Sequence, residues 1–86
     1  MYYVYVLQNP KNGNLYYGYS ADLKRRYAEH QERGHPGWQI VYYEAYRSEK
    51  DARKRERMLK HYGSARTRLK KRLEHSLRLE DVEWAG

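Results

Sequence analysis

The stretches Tyr2-Tyr3-Val4-Tyr5-Val6-Leu7 and Leu15-Tyr16-Tyr17-Gly18-Tyr19 decide the fold of this chain. Both are rich in residues that favour β-strands, and the segment between them, Asn9-Pro10-Lys11-Asn12-Gly13-Asn14, has the composition of a turn. The pattern therefore predicts a β-hairpin with strands at residues 2–8 and 15–19.

The aromatic composition is unusual, because eleven residues are tyrosine, two are tryptophan and none is phenylalanine. Phenylalanine would fill a core as well as tyrosine does, so this choice keeps a hydroxyl at the end of each ring. We expect some of these hydroxyls to take part in chemistry. For most of the others, packing at the half-buried rim of a small sheet is the simpler interpretation, and these are Tyr2, Tyr17, Tyr19, Tyr42, Tyr43 and Tyr46.

Chain length and cysteine content narrow the class of protein. Eighty-six residues predict a single domain over residues 1–86 with a modest core. The lack of cysteine excludes a disulfide framework and a zinc site built from thiolates, and it fits a reducing compartment. No apolar run reaches the length of a membrane span, and the N-terminus has no signal-peptide pattern. We therefore predict a cytoplasmic protein with no membrane partner.

Positive charge is concentrated in one part of the chain. The net charge is +7, but residues 47–72 hold twelve Lys and Arg against three Asp and Glu, a local net charge of +9. Such a block is the electrostatic footprint of a protein that binds a polyanion. A solvated basic helix surface is an equally good interpretation of charge alone.

The next segments alternate helical and extended patterns. Ser20 suits a helix N-cap and Gly34 suits the C′ position, which together predict a helix at about residues 21–33. Residues 34–37 have the composition of a loop. Residues 39–46 are rich in β-formers and predict a third strand.

Two further helices follow the third strand. Ser48 with Asp51 resembles a capping box, which predicts a helix to about His61 that Gly63 ends. Ser64 would cap a third helix to about His75. A short C-terminal helix would then pack through Leu77, Leu79, Val82 and Trp84. The predicted order is β-β-α-β-α-α, an α+β fold with a small, mostly antiparallel three-stranded sheet flanked by helices.

Helix periodicity places several polar residues beside the predicted core. With Leu23 facing inward and about 100° per residue, Arg26 and His30 lie near the inward direction, whereas Arg25 faces water. A guanidinium beside a core needs a partner or an anion. A lone histidine in such a place is more often structural than catalytic.

Glu56 is the carboxylate with the most informative position. With Leu59 facing inward, Glu56 lies on the apolar flank of a helix that is otherwise strongly basic. A carboxylate at a core margin normally pairs with a cation or binds a metal. Arg26, Arg53 and Arg55 are available as partners, and composition alone slightly favours such a pair.

Together these residues resemble the GIY-YIG nuclease superfamily, which is named for two short motifs on its first hairpin. Tyr3-Val4-Tyr5 is similar to the first motif and Tyr16-Tyr17-Gly18 to the second. Arg26 and His30 stand where the family has an arginine and a His or Tyr on the next helix. Glu56 stands where the family has its metal-binding glutamate. The resemblance covers roughly residues 2–72 and is greatest to small stand-alone bacterial members.

Three positions depart from the family pattern. Tyr3 replaces the leading glycine of the first motif, and Tyr17 replaces the middle residue of the second. Many members carry an asparagine on the helix after the glutamate, whereas this chain has no asparagine beyond Asn14. Arg66 or Arg68 would then meet the phosphate instead.

The resemblance implies a metal-dependent phosphodiesterase. Glu56 would hold one divalent ion, Mg²⁺ or Mn²⁺, with no other small-molecule cofactor. Arg26 would stabilise charge on the phosphate oxygens. Tyr5 and Tyr16 would orient the attacking water, and one of Tyr5, Tyr16 and His30 would be the general base. A free phenol titrates near about 10, so a tyrosine base needs neighbouring positive charge to lower its pKa.

We therefore predict a DNA endonuclease of low sequence specificity that acts in DNA repair or processing, with RNA as an alternative partner. Five cations are expected to contact phosphates without reading sequence, and these are Lys60, Arg66, Arg68, Lys70 and Lys71. A non-catalytic nucleic-acid binder on the same scaffold is the main alternative. A plain interaction module would leave the inward positions of Arg26, His30 and Glu56 unexplained.

Overall fold

The structure, a computed structural model, describes residues 1–78 and has three strands and three helices there. In chain order they are β1 (Tyr2–Gln8), β2 (Leu15–Ser20), α1 (Leu23–Glu32), β3 (Gln39–Tyr46), α2 (Glu49–His61) and α3 (Gly63–Arg72). The sheet order is β2-β1-β3, and β1 pairs antiparallel with both neighbours. The predicted α+β class and the order β-β-α-β-α-α are therefore confirmed.

The hairpin turn is a six-residue loop closed by backbone bonds. The amide of Asn9 donates to the Asn14 carbonyl at 2.9 Å, and the amide of Gly13 donates to the Asn9 carbonyl at 2.8 Å. Gly13 has a φ of 80°, which only glycine adopts without strain. The Asn12-Gly13 signal thus predicted the place of the turn correctly.

Alternation along β1 sends neighbouring side chains to opposite faces of the sheet. Val4 and Val6 face α2 and α3, and the buried residues that pack with them there are Ala52, Leu59, Ala65 and Leu69. Tyr5 lies on the other face, where its hydroxyl contacts His30 of α1. The sheet therefore separates the hydrophobic core from a polar site beneath α1.

The start of α1 differs from the prediction, because Asp22 rather than Ser20 is the N-cap. The Asp22 side chain accepts a hydrogen bond from the Arg25 amide at 3.0 Å. Ser20 is the last residue of β2, and its Oγ bonds the Asp22 backbone amide and carbonyl, each at 2.9 Å. Ser20 therefore shapes the turn that precedes the cap. At the other end, Gly34 follows the helix with a φ of 85°, as predicted for C′.

The junction of α2 and α3 also differs from the prediction. Ser48 precedes α2, but its hydroxyl makes no capping bond, so the predicted capping box with Asp51 is wrong. α3 begins at Gly63 rather than after Ser64, because Tyr62 alone, in an extended conformation, separates the two helices. α3 ends at Arg72, three residues before the predicted end.

The predicted C-terminal helix falls largely outside the described residues, which exclude its positions Leu79, Val82 and Trp84. Leu77 lies within them. Its amide donates to the Leu73 carbonyl at 2.9 Å, and its own carbonyl accepts from Gln8 Nε2 at 2.9 Å. These bonds tie the segment after α3 to the end of β1.

Among residues 1–78, α2 is the longest helix with 13 residues, and none of the helices is long and apolar enough to cross a membrane. The single domain over residues 1–86 and the cytoplasmic location stay predictions.

Candidate active site

A buried hydrogen bond between β1 and α1 lies at the centre of the polar site. The Tyr5 hydroxyl lies 2.7 Å from Nε2 of His30. Tyr5 is only 1% exposed and His30 only 4% exposed. Helix phase predicted that His30 faces the sheet, and the structure places it there. Because both partners are buried, their bond is shielded from competition with water.

Tyr16 of β2 completes a three-ring cluster. Its ring centroid lies 5.1 Å from that of His30 and 6.3 Å from that of Tyr5. Gly18, two residues further along β2, pairs directly with Tyr5 in the β1–β2 register. A Cβ on Gly18 would lie 2.5 Å from the Tyr5 hydroxyl oxygen and 2.9 Å from Cε2 of Tyr16. The glycine therefore makes room for the phenol of Tyr5.

His35 joins the cluster and was not singled out in the sequence. Its Nδ1 lies 3.1 Å from Nδ1 of His30, and its ring centroid lies 4.5 Å from that of Tyr16. The chain reverses at Gly34, and the His35 amide donates to the His30 carbonyl at 3.1 Å. A histidine directly after a C′ glycine is the only sequence signal that pointed to this return.

The two facing histidine nitrogens restrict the protonation of the cluster. A neutral His30 that accepts the Tyr5 proton at Nε2 carries its own proton on Nδ1. That proton then lies between the His30 and His35 Nδ1 atoms, and His35 accepts it. With this tautomer, the cluster is a chain of hydrogen bonds from Tyr5 through His30 to His35.

Arg26 lies at the mouth of a cleft of about 470 Å³ that Tyr16, His30 and His35 also line. Its Nη1 lies 3.5 Å from Oε1 of Glu29, and its side chain is 41% exposed. Arg26 therefore lines the cleft and is accessible to a ligand. Arg25 is exposed, as predicted, and its Nε lies 3.8 Å from an Asp22 carboxylate oxygen.

Glu56 approaches the same site from α2. Its Oε2 lies 3.2 Å from Lys60 Nζ, and its side chain is 20% exposed. Lys60 Nζ in turn lies 5.6 Å from the centroid of the Tyr16 ring, within the range of a cation–π contact. The predicted pairing of Glu56 is correct, but the partner is one turn along its own helix.

The three arginines considered as partners of Glu56 all pair elsewhere. Arg26 faces Glu29, and Arg53 faces Glu49 at 3.3 Å. Arg55 makes a bidentate contact with Glu44, whose carboxylate also accepts bonds from the hydroxyls of Tyr42 and Tyr46. Tyr42 and Tyr46 also pack against the hydrophobic core, which confirms their predicted packing role, whereas Tyr43 is 56% exposed and the same prediction is wrong for it.

The pKa values in the cluster are set mainly by burial. Burial raises the pKa of Tyr5 to about 12; Tyr16 and Glu56 add to the rise and Arg26 opposes it. A tyrosine base would need neighbouring positive charge to lower its pKa; Arg26 acts on Tyr5 in that direction, but the cost of burying a phenolate outweighs the arginine. Burial also lowers the pKa of His30, helped by Arg26 and His35 and opposed by Glu29.

The donor set fits a metal ion that needs few protein ligands. Among residues 1–78 there is no group of three His, Cys, Asp or Glu side chains arranged to hold a metal ion. Glu56 offers a single carboxylate that is 20% exposed, and its partner Lys60 lies over the ring of Tyr16, which lines the cleft. Mg²⁺ keeps several waters and is commonly bound by one or two carboxylates plus substrate phosphate, so one carboxylate is a sufficient protein anchor.

The five predicted phosphate-contacting cations do not form one row. Lys60 lies beside Tyr16, and Nη1 of Arg66 donates to the Leu59 and Lys60 carbonyls at the end of α2. Lys70 lines a cleft together with Arg66, whereas Arg68 lines a different groove. Lys71 is exposed on α3. Their contact with phosphate stays a prediction.

The site thus combines two tyrosines of the hairpin with a histidine and an arginine from the following helix. A family model described as the GIY-YIG catalytic domain matches residues 1–70 of the 86, so the chain belongs to the GIY-YIG family. No curated protein and no solved structure matches the chain.

Proposed function

We propose that this protein is a metal-dependent DNA endonuclease of low sequence specificity that acts in DNA repair or processing. The observation that carries the proposal is the 2.7 Å bond between Tyr5 and His30, because His30 lines a cleft together with Tyr16 and Arg26. Membership of the GIY-YIG family supports phosphodiester hydrolysis as the reaction class.

Tyr5 and His30 form the proton route in this proposal. A Tyr5 pKa of about 12 means that the phenol keeps its proton at neutral pH, and a lowered His30 pKa keeps the imidazole neutral. Tyr5 therefore passes its proton to His30 Nε2 as it takes one from the attacking water. His30 becomes positively charged and releases its Nδ1 proton toward His35, 3.1 Å away.

Arg26 stabilises the negative charge that develops on the phosphate oxygens. Its guanidinium lies at the cleft mouth, where its only described carboxylate partner within 4.0 Å is Glu29 at 3.5 Å. An exposed ion pair of this kind is worth about 0 to 1 kcal/mol, so a phosphate can displace the carboxylate. The planar fork of arginine then binds two phosphate oxygens at once. Tyr16 lines the same cleft and orients the water.

Glu56 is the residue that would hold Mg²⁺ or Mn²⁺ in this proposal. When bound, the ion supplies Lewis-acid polarisation of the phosphate and charge neutralisation. Lys60 Nζ lies 3.2 Å from Glu56 Oε2 and holds the carboxylate in position. Low sequence specificity is supported by the charge pattern, because exposed Lys and Arg bind phosphates, which carry no sequence information.

The test is cleavage of labelled duplex, single-stranded and branched DNA with Mg²⁺ or Mn²⁺. Glu56→Gln keeps the shape of the side chain but removes its charge, and it should abolish cleavage, as should EDTA. Glu74→Gln is the matched control, since Glu74 is exposed and lies after α3 beside His75. Cleavage that persists in Glu56→Gln would reject the role of Glu56. Salt-sensitive binding without cleavage of any substrate would identify a non-catalytic binder instead.

A further inference from the structure

Within residues 1–78, two buried polar atoms on the core side of the hairpin have no hydrogen-bond partner. They are Oε1 of Gln8 and the hydroxyl of Tyr17. Gln8 is only 2% exposed, and its Nε2 donates to the Leu77 carbonyl at 2.9 Å, which fixes the amide and leaves Oε1 as the unpaired acceptor. A buried polar group without a partner lowers stability by about 1 to 3 kcal/mol. For this reason, buried polar atoms of this kind are usually hydrogen-bonded to a ligand or to water.

Both residues line one cleft of about 610 Å³, which is within the size range of small-ligand sites. Leu15 and Leu77 supply apolar walls, while Arg66 and Lys70 of α3 supply positive charge. Arg66 is held in place by its bonds to the last carbonyls of α2. None of the described residues that line this cleft is an aspartate or a glutamate.

The residues that line the cleft determine which kind of ligand would pair all of its polar and charged groups. Inorganic phosphate would match Arg66 and Lys70, but it would leave the Gln8 acceptor without a donor. An apolar ligand would leave both buried polar atoms unpaired. A nucleotide brings a phosphate, a flat base for the apolar walls and N–H donors on the base edge. Burial raises the pKa of Tyr17, opposed by Arg66, so this hydroxyl keeps its proton and can donate.

The cleft lies on the opposite face of edge strand β2 from the candidate active site. Tyr16 and Tyr17 are consecutive residues on opposite faces of edge strand β2, so one lines each cleft. Arg66 bonds the Lys60 carbonyl at 2.9 Å, and the ammonium group of Lys60 lies next to the Tyr16 ring. One strand of nucleic acid that passes the free edge of β2 can therefore reach both clefts.

We propose that this second cleft binds one nucleotide of single-stranded DNA, with a base N–H donating to Gln8 Oε1, the Tyr17 hydroxyl bonded to the base edge and the phosphate held by Arg66 and Lys70. As a subsite for the substrate strand, it rests on the proposed nuclease function. Binding of a free nucleotide does not depend on that function, because it requires neither the metal nor Glu56.

The test uses deoxycytidine monophosphate as the probe, titrated into the intact chain without metal and followed by NMR chemical shifts. We expect shifts at residues 8 and 17, and inorganic phosphate should bind at least about tenfold more weakly because it satisfies only the cations. Tyr17→Phe should weaken nucleotide binding by about tenfold through loss of one hydrogen bond. The melting temperature of Tyr17→Phe should stay the same or rise, because the change removes an unsatisfied buried group.

Tyr27→Phe is the matched control, because the Tyr27 hydroxyl already donates to the Trp38 carbonyl at 2.9 Å. That variant should lower the melting temperature and leave nucleotide affinity unchanged. The proposal is overturned if the nucleotide does not bind at millimolar concentration, if Tyr17→Phe binds it equally well, or if Tyr17→Phe melts earlier as Tyr27→Phe does. Nucleotide binding without DNA cleavage would reject the nuclease function alone, and cleavage without nucleotide binding would reject this subsite alone.

Discussion

Gly18 lies directly opposite Tyr5 in the β1–β2 pair, and a Cβ on Gly18 would lie 2.5 Å from the Tyr5 hydroxyl oxygen. The buried ring of Tyr5 therefore packs directly against the β2 backbone at Gly18. The glycine of the second hairpin motif is explained by this contact with the tyrosine of the first. Its φ is not positive, so a turn conformation is not the reason for it.

Gly18→Ala should disturb the active site more than its size suggests. The new methyl group displaces Tyr5 and lengthens its bond to His30, and overpacking of this kind costs about 1 to 3 kcal/mol of stability. We expect cleavage to fall by at least about a hundredfold, since a misplacement of about 1 Å has effects of this order. Gly63→Ala is the control, because a Cβ on Gly63 would lie 3.7 Å from Nη2 of Arg66, an ordinary van der Waals distance. A variant Gly18→Ala with normal activity and stability would contradict the contact.

Tyr5→Phe should separate the chemistry of the phenol from its packing. Phenylalanine fills the same volume but cannot pass a proton to His30, so we expect turnover to fall by about 10² to 10⁴ while DNA affinity stays the same. Single-turnover cleavage and a binding titration measure the two effects. Tyr27→Phe, which alters a phenol on α1 instead, should retain turnover. A Tyr5→Phe enzyme that cleaves normally would remove Tyr5 from the proton route.

Stability should depend on pH through His30. Its pKa in the folded protein lies below the ordinary value of 6.5, so the unfolded chain binds more protons between these two values. The free energy of unfolding should therefore rise with pH across this window, by at most about 1.4 kcal/mol per pH unit, and level off above 6.5. Urea unfolding between about pH 5 and 8 measures the slope. His30→Gln should flatten this part of the curve, whereas exposed His61→Gln should not.

His35 should influence His30 without touching the Tyr5 hydroxyl. His35 is one cause of the lowered His30 pKa, so His35→Phe should raise that pKa. In a plot of cleavage rate against pH, the loss of activity on the acidic side should then begin at a higher pH. The variant also removes the acceptor for Nδ1 of His30. Nitrogen chemical shifts of His30 report the tautomer independently of activity. An unchanged tautomer and an unchanged pKa in His35→Phe would show that the 3.1 Å contact has no functional role.

Glu29→Gln should make Arg26 more available to phosphate. The ion pair between them is exposed and weak, so its loss should leave stability within about 0.5 kcal/mol. The KM for DNA should fall while kcat is retained. Glu32→Gln removes an equal charge from the same cleft and is the control for a general change in charge. Arg26→Lys should lower kcat by at least about tenfold, because an ammonium group cannot make a bidentate contact. Equal effects of Glu29→Gln and Glu32→Gln would contradict a specific competition.

The fold could be predicted from local patterns because its elements are short and consecutive. Three local signals decide it, since each depends on only a few neighbouring residues: the alternating β-formers of the strands, the turn at Asn12-Gly13 and the helix end at Gly34. Each of these features was found where predicted. Helix phase also placed Arg26, His30 and Glu56 on the correct sides of their helices. The errors fell at Ser20, Ser48 and Ser64, where several residues could serve as caps and the local sequence does not decide between them.

The amino-acid sequence by itself determined the fold class, the family and most of the residues at the candidate site, because these depend on periodicity and on spacing along the chain. Only the tertiary structure decided which groups touch. It brought His35 back under His30, set Gly18 against Tyr5 and gave Glu56 a partner in Lys60. It also left Gln8 and Tyr17 with unpaired atoms in one cleft. Such contacts depend on distances between segments far apart in sequence, and burial, which outweighs the neighbouring arginine, sets the direction of the Tyr5 pKa shift.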